Sequence, residues 1–442
     1  MSNPTTNSIT SINSKKTLPN IVLLIIISGA LLISCTKRDN SFNIVKSFSY
    51  ANDSIQFTDF VGIDSYGQSL SIGGDNNLPN SVVSVTPEYN SVMPDLGVRS
   101  LDYPNKKPMA FVPLVEHLNA AGNLGETPCS GACSMFNQVM DVKTFQLFAV
   151  ASGKSSQSVA ELSVNPDYHR LITDVTTANN IAKGMGKTFS LGAVSYIQGE
   201  ADITLGTSYD TYLQTLSQLN INVNNDVLPI TAQSSAIPFV VGQTSSSNRS
   251  KASMAYPAMA LAQLNLCMNN PNFTMGTPMY MFNYLADNTH LSAATYRILG
   301  AYQGYAIKKF IVDGVKNFIY PISTTQINDT ITVNFNVPVA PLVFDTMQVV
   351  NPGNFGFVVK DSVGTVVRIK SVSIIDGNAV RLICGRKVAE LRYAINGITA
   401  KAGRLQGPRG CLRDSQGDSI IFDPQGSNWP LYNWTPIFDI FL

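Results

Sequence analysis

The chain is poor in charge, in histidine and in long apolar runs, and each shortage removes a class of function. Charged residues make up 13% of the 442 positions, and Lys+Arg 30 against Asp+Glu 29 leave a formal net charge of +1. A surface that grips nucleic-acid phosphates needs a basic excess, so nucleic acid is excluded as a partner. Histidine occurs only 3 times, at His117, His169 and His290, so any imidazole chemistry has a short candidate list. Cys129 and Cys133, close together in what reads as a Gly/Ser loop, have the spacing of half a zinc site but no second ligand pair, so neither a metal nor an organic cofactor is expected. The one long apolar run, Ile21–Ile33, is too short for a confident membrane span.

That run has a setting of its own. Lys15 and Lys16 precede it and Ser34-Cys35 follow it, the order of basic, apolar and small-residue regions found in secretory signals. Leu32-Ile33-Ser34-Cys35 resembles the bacterial lipobox, which implies lipidation at Cys35. An uncleaved anchor helix is the alternative. Either way the expectation is a protein of the cell envelope: a signal segment over 1–35, a polar tether over 36–57, and a membrane partner through the N-terminal lipid anchor. An oxidising compartment would allow pairing among Cys129, Cys133, Cys384 and Cys411, with Cys267 left as a buried thiol in an apolar helical pattern.

A chain of this length predicts two folded units behind the leader. From 58 to 312, short apolar runs alternate with helical periodicities, the pattern of an α/β domain with a parallel sheet. Strands are expected at Phe60–Ile63, Phe145–Ala151, Phe189–Ile197, Pro229–Gln233 and Met279–Phe282. Helices are expected at Tyr168–Lys183, Tyr209–Leu219 and Ala293–Val312. After a linker over 313–325 the texture becomes short alternating strands broken by turns such as Asn351-Pro-Gly353, which predicts a β-sandwich over 326–442.

Sites in open α/β sheets gather at the carboxyl ends of strands. Four polar clusters sit at such ends or before the last helix: Gly67-Gln68-Ser69, Ser152-Gly153, Gln198-Gly-Glu200-Ala-Asp202 and Asp287-Asn-Thr-His290. A serine hydroxyl needs an adjacent base to become a nucleophile, normally imidazole. His117 and His169 read as ordinary helical positions. His290 alone lies in a loop at a helix start, with a carboxylate three residues earlier, so His290 is the candidate base and Asp287 its orienter. Ser69 follows a strand and a glycine, where backbone amides can point at an oxyanion, although serine also serves there as a helix cap.

The three blocks Gly67-Gln-Ser-Leu70, Tyr196-Ile-Gln-Gly-Glu-Ala-Asp202 and Asp287-Asn-Thr-His-Leu-Ser-Ala-Ala-Thr-Tyr-Arg297 together resemble the SGNH/GDSL hydrolases, in the branch of the sialate O-acetylesterase-like carbohydrate esterases. The resemblance covers about 58–312 and implies a flavodoxin-like three-layer domain. It also implies a Ser69–His290–Asp287 triad acting on an acylated glycan or another small ester, with acetyl as the expected acyl group. By position it assigns the oxyanion hole to the amides of Ser69 and Gly153 and the side-chain NH₂ of Gln198, with Gln68 in support. Glu200 and Asp202 are expected to hold the Gln198 loop by accepting backbone hydrogen bonds, the rival being a metal or sugar-hydroxyl role. Two departures stand out. Tyr196 replaces the usual tryptophan, and Ser152-Gly153-Lys-Ser155 replaces a Gly-Gly-Thr block, which leaves Gly131 as a competitor for the place of Gly153 and Glu126-Thr-Pro128 as a candidate substrate-facing loop.

In the C-terminal region, Trp429-Pro-Leu-Tyr-Asn-Trp434 allows either sugar stacking or docking of the sandwich onto the first domain. Two functions from different classes result: an esterase that deacylates a glycan, and a glycan-binding envelope lipoprotein whose hydrolase domain is inactive.

Overall fold

Apolar runs without alternation make strands that are covered on both faces. Phe60-Val-Gly-Ile63 is such a run and opens β1 (Phe60–Gly67), which is buried along its whole length. The computed structural model describes residues 58–74, 82–103, 105–117, 125–140, 144–422 and 428–442; the expected leader 1–35 with Cys35 and the tether 36–57 lie outside them. The strands that follow are β2 (Val92–Pro94), β3 (Phe111–Pro113), β4 (Gln146–Val150), β5 (Phe189–Ile197), β6 (Phe239–Gln243) and β7 (Phe273–Pro278). They form one 7-stranded sheet in the order β3-β2-β4-β1-β5-β6-β7, parallel except for the β2–β3 pair at one edge. The chain runs from β1 to the β2–β4 side and then crosses to β5 on the other side, so the crevice at the end of β1 is the topological switch point where such sheets bind ligands.

Helices α1 (Pro128–Gln138), α2 (Val159–Leu162), α3 (Asp167–Gly184), α4 (Glu200–Leu205), α5 (Tyr209–Thr231), α6 (Lys251–Ala255), α7 (Ala258–Asn269) and α8 (Ala293–Ile311) connect the strands. Phe136 of α1 and Ile307 and Phe310 of α8 cover Val61, Ile63, Leu147 and Ala149 on one face. Val175 of α3, Leu216 of α5 and Leu264 of α7 share the core with Phe189, Leu191 and Phe239 on the other. This is the expected three-layer α/β architecture.

Several elements differ from expectation. Cys129 and Cys133 lie in α1 and not in a loop, with Thr127 as the N-cap accepting from the Cys129 amide and Pro128 at the first helical position. The small residues there serve a close helix crossing. A Cβ on Gly131 would stand 1.9 Å from the Arg297 carbonyl oxygen, and one on Gly304 2.0 Å from that of Ala132. Gly131 is therefore a packing residue of the α1–α8 contact, not a rival for the oxyanion role. Residues 229–233 are mostly the end of α5, which carries Pro229 in its last turn, and the strand comes later as β6. Met279–Met281 is a 3₁₀ turn that follows β7. His117 lies outside any helix, against Gly97.

The C-terminal region holds two 4-stranded antiparallel sheets. One joins 320–327, 330–336, 369–375 and 379–384; the other joins 357–360, 366–367, 390–393 and 438–441. Phe335 of the first meets Phe438 of the second at a ring separation of 6.0 Å, so their inner faces share one core, as in a sandwich. The sandwich also packs on the α/β layers. Gln243 at the end of β6 donates to the Ile437 carbonyl (3.1 Å) and accepts from its amide (2.8 Å), and the Tyr280 hydroxyl donates to the Thr435 carbonyl (2.7 Å). Trp434 is 1% exposed, and the face of the Tyr432 ring carries the Arg413 guanidinium at 3.5 Å, so these rings are spent on packing. Cys129, Cys133, Cys267, Cys384 and Cys411 are all buried and none forms a disulfide.

Candidate active site

Gly67 ends β1 with φ +146, and a Cβ there would stand 2.0 Å from the Ile197 carbonyl oxygen, so only glycine permits the turn out of the strand. The chain then closes a 3₁₀ turn over Ser69–Ser71. Its amides at Ser71 and Ile72 donate to the carbonyls of Gln68 and Ser69, and the Ser71 hydroxyl donates to the Gln68 carbonyl at 2.7 Å. Ser69 is held at the tip of this turn, at the carboxyl end of the central strand. Gln68 turns toward the β5–α4 loop, where its Oε1 accepts from the amides of Gly199 (3.3 Å) and Ala201 (3.0 Å). The middle residue of the Gly-Gln-Ser block therefore joins two strand-end loops.

The loop before α8 brings the other two groups to Ser69. His290 Nε2 lies 2.9 Å from Ser69 Oγ, and His290 Nδ1 lies 2.7 Å from Asp287 Oδ2. Asp287 Oδ1 accepts from the amides of Thr289 (2.9 Å) and His290 (3.0 Å), so the carboxylate is oriented by its own loop. Partial burial works upward on the Asp287 carboxyl, but those amides and the imidazole outweigh it and hold its pKa below the ordinary value. A carboxylate that stays ionised keeps Nδ1 protonated and leaves Nε2 to accept from the serine.

Two backbone donors flank the serine. The N–H groups of Ser69 and Gly153 donate to no acceptor among the described residues, although both residues are buried. An unpaired buried amide is costly in a folded chain, and a site that must stabilise a transient oxyanion is a recognised reason to keep one. Gly153 lies three residues past the end of β4, against the Ser69–Ser71 turn. A Cβ on it would stand 2.3 Å from Ser71 Oγ and 2.7 Å from the Gly67 carbonyl oxygen.

The third expected donor has to be corrected. Gln198 is fully buried, and its Nε2 donates to Asp202 Oδ2 (2.6 Å) and to the Gln157 carbonyl (3.2 Å) while Oε1 accepts from the Tyr212 hydroxyl (2.8 Å). A carboxamide has two N–H donors and both are used, so the Gln198 side chain is not aimed at an oxyanion beside Ser69. Asp202 also accepts from the Val159 amide (2.8 Å) and the Thr207 hydroxyl (2.8 Å), which ties α2 to the Gln198 loop. Glu200 accepts instead from hydroxyls, those of Thr244 (2.6 Å) and Ser246 (3.0 Å). Burial pushes its carboxyl upward against these bonds and the nearby His290. Among the described residues, no group of three or more His, Cys, Asp or Glu side chains is placed to hold a metal ion. Glu126 is also not substrate-facing: it is buried and accepts from the amides of Val83 (2.9 Å) and Ser84 (3.0 Å).

Sequence reasoning missed two parts of this site. Asp64 is fully buried on β1 and accepts both the amide (3.2 Å) and the hydroxyl (2.8 and 2.7 Å) of Ser152. A lone carboxylate inside an apolar strand was the available signal. The other part is a strap from the sandwich. The Ala402 amide donates to Asn288 Oδ1 (3.2 Å), and the Ala400 amide donates to the Arg249 carbonyl (2.9 Å). Arg249 Nη1 in turn donates to the Asn288 carbonyl (2.7 Å) and the Thr289 hydroxyl (3.1 Å). Nothing local in the sequence announces contacts across that many residues.

No family model and no curated protein sequence matches this chain. Among solved structures it is similar to a carbohydrate acetylesterase from Xanthomonas citri, with a TM-score of 0.52 and 13% identity over 86% of this chain and 80% of that one. The two chains share a fold. The chain also aligns with NanS (TM-score 0.41, 13% identity, 58% of this chain and 98% of that one) and with an Arabidopsis thaliana protein (TM-score 0.42, 14% identity, 57% and 98%).

Proposed function

We propose that this protein is a serine esterase that removes acyl groups, acetyl foremost, from a carbohydrate. The observation that carries the reading is the hydrogen-bonded line from Ser69 Oγ through His290 to Asp287, with the unpaired Ser69 and Gly153 amides beside it. Ser69 Oγ attacks the acyl carbon while His290 Nε2 takes its proton. The carbonyl oxygen becomes an oxyanion and accepts from the two amides. As the tetrahedral adduct collapses, the carbon–alkoxy bond breaks and His290 returns the proton to the departing sugar oxygen. Water then attacks the acyl-serine, gives its proton to His290, and the second collapse frees the acid and restores the Ser69 hydroxyl. The carbohydrate half of the proposal draws on the resemblance of the three sequence blocks and on the shared fold. Export and anchoring through Cys35 belong to the same proposal and are tested by metabolic labelling with a fatty acid, which Cys35→Ala should abolish.

The deciding experiment expresses residues 36–442 and follows p-nitrophenyl acetate and acetate release from acetylated xylan and O-acetylated sialic acid. Wild-type turnover that Ser69→Ala and His290→Ala each abolish, with folding retained, supports the proposal. A folded wild type no faster than either variant on all of these esters overturns it in favour of a glycan-binding role.

A further inference from the structure

The mechanism leaves unused a charged side chain on α3 that touches the loop carrying Gly153. Arg170 Nε donates to the Ser152 carbonyl oxygen at 2.9 Å. That oxygen and the Gly153 N–H belong to one peptide unit, and in a trans peptide they point in opposite directions. A guanidinium that holds the oxygen toward α3 therefore sets the N–H facing away from α3. It also polarises the peptide, since a charged donor on the carbonyl strengthens the N–H at the other end.

We infer that Arg170 is a positioning residue that orients and polarises the Gly153 amide as an oxyanion donor. The inference rests on the proposed esterase reading of Ser69. The groups around Arg170 are arranged for such a task. Its Nη2 meets Asp102 Oδ1 at 3.0 Å, and Asp102 Oδ2 is held by Arg99 Nε at 2.7 Å. Arg99 Nη1 donates to the Ile72 carbonyl at 3.1 Å, at the end of the nucleophile turn. One polar chain thus links the turn that presents Ser69 to the loop that presents Gly153. From the other side Asp64 takes the Ser152 amide and hydroxyl, and the Lys154 amide donates to the Gly67 carbonyl at 2.9 Å. The peptide before Gly153 is fixed at its oxygen, at the preceding amide and at the following amide, and its own N–H is the donor left over.

Arg170→Lys keeps a charge but loses the planar Nε fork, and Arg170→Gln loses the charge. Losing one oxyanion donor typically costs about 10²–10³ in turnover, so misaiming it should lower kcat by about 10- to 100-fold while KM changes by less than about two-fold. Affinity for a trifluoromethyl ketone, whose hemiketal adduct carries the oxyanion, should fall in parallel with kcat/KM, whereas affinity for acetate should not. Added guanidinium should recover part of the kcat of Arg170→Ala and none of that of Ser69→Ala. A structural role would move thermal stability without this kcat-selective, analogue-selective and guanidinium-reversible pattern. If the Arg170 variants fail to fold, Asp102→Asn reads the same linkage, with a smaller fall in kcat at constant KM. Arg170 or Asp102 variants that keep kcat within two-fold, in a protein whose Ser69→Ala is dead, overturn the positioning inference alone. A Ser69→Ala protein as active as wild type removes the esterase reading beneath it.

Discussion

Replacing Asp287 by asparagine changes one oxygen to nitrogen, and the structure says which one. Oδ1 accepts two backbone N–H groups, from Thr289 and His290, and only an oxygen can continue to do so. The new NH₂ must therefore take the place of Oδ2, 2.7 Å from His290 Nδ1. An N–H donor there requires Nδ1 to be the acceptor, which moves the imidazole proton to Nε2, facing Ser69 Oγ. In that tautomer the ring cannot take the serine proton, so kcat should fall by about 10⁴, the cost of this exchange in a triad whose geometry stays intact. The loop keeps both of its amide bonds, so the melting temperature should stay within a few degrees. Turnover of p-nitrophenyl acetate between pH 6 and 9, together with a thermal melt, measures both. Asp287→Ala should lose activity to a similar degree but also lose stability, because it abandons two amides. An Asp287→Asn enzyme within ten-fold of wild type would refute the assignment of tautomer and with it the role of His290 as base.

Burial raises the Asp64 carboxyl to about 7, against the bonds from Ser152 and the charge of Arg170, so the folded chain keeps a proton that the unfolded chain releases above its ordinary 3.8. Unfolding free energy should therefore fall as pH rises from about 4 to 7 and flatten above; at ~1.4 kcal/mol per pH unit the fall between pH 5 and 8 is at most about 3 kcal/mol, and Asp64→Asn should remove it in urea titrations at those two pH values. Gly304→Ala places a methyl 2.0 Å from the Ala132 carbonyl oxygen and should cost about 3 kcal/mol, whereas Gly184→Ala meets nothing within 4 Å and should be neutral or mildly stabilising; calorimetry that finds the two alike would count against the close α1–α8 crossing. Arg249→Ala removes the bonds to the Asn288 carbonyl and the Thr289 hydroxyl, so kcat should fall about ten-fold as the Asp287–His290 loop loosens, since hydrogen bonds to a charged group are worth about 1.5–3 kcal/mol each. Unchanged kcat would show that the loop holds its own geometry.

Much of the architecture was legible because burial writes itself into composition. β1, β4 and β5 are mostly apolar and buried nearly throughout, and α8 carries its apolar residues at helical spacing. The misreadings share a cause, which is packing that overrides local preference. The Cys-Ser-Gly-Ala-Cys-Ser stretch of α1 looks like a loop, because its residues are small for the sake of α8 and not for a turn. Pro229–Gln233 reads as a strand, but α5 runs on through Pro229 to Thr231 with Leu228 and Ile230 packed against the core. At the site, scarcity did the selecting: with 3 histidines, only His290 had a carboxylate three residues before it in a loop. Gln198 shows the limit of such reasoning. Its position at the end of β5 was evident, but the direction of its side chain depended on Asp202, Tyr212 and Gln157, and no spacing rule contains those partners.

The sandwich bears on catalysis through the same logic of overlapping constraints. Asn288 adopts φ +57, a conformation that asparagine tolerates better than most residues, between the carboxylate and the imidazole of the candidate triad. Its side-chain oxygen accepts from Ala402 and its carbonyl from Arg249, whose own carbonyl accepts from Ala400. Further along the strap, the Arg404 amide donates to the Phe282 carbonyl at 3.0 Å and its Nε to Asn283 Oδ1 at 2.9 Å, at the start of the same loop. A short loop with one strained residue would not by itself keep a hydroxyl, an imidazole and a carboxylate aligned to within tenths of an ångström. The 400–404 segment adds anchors at both ends of that loop. The C-terminal region is thus part of the framework that aligns Asp287 and His290 with Ser69, and its boundary with the α/β layers runs along the site instead of away from it.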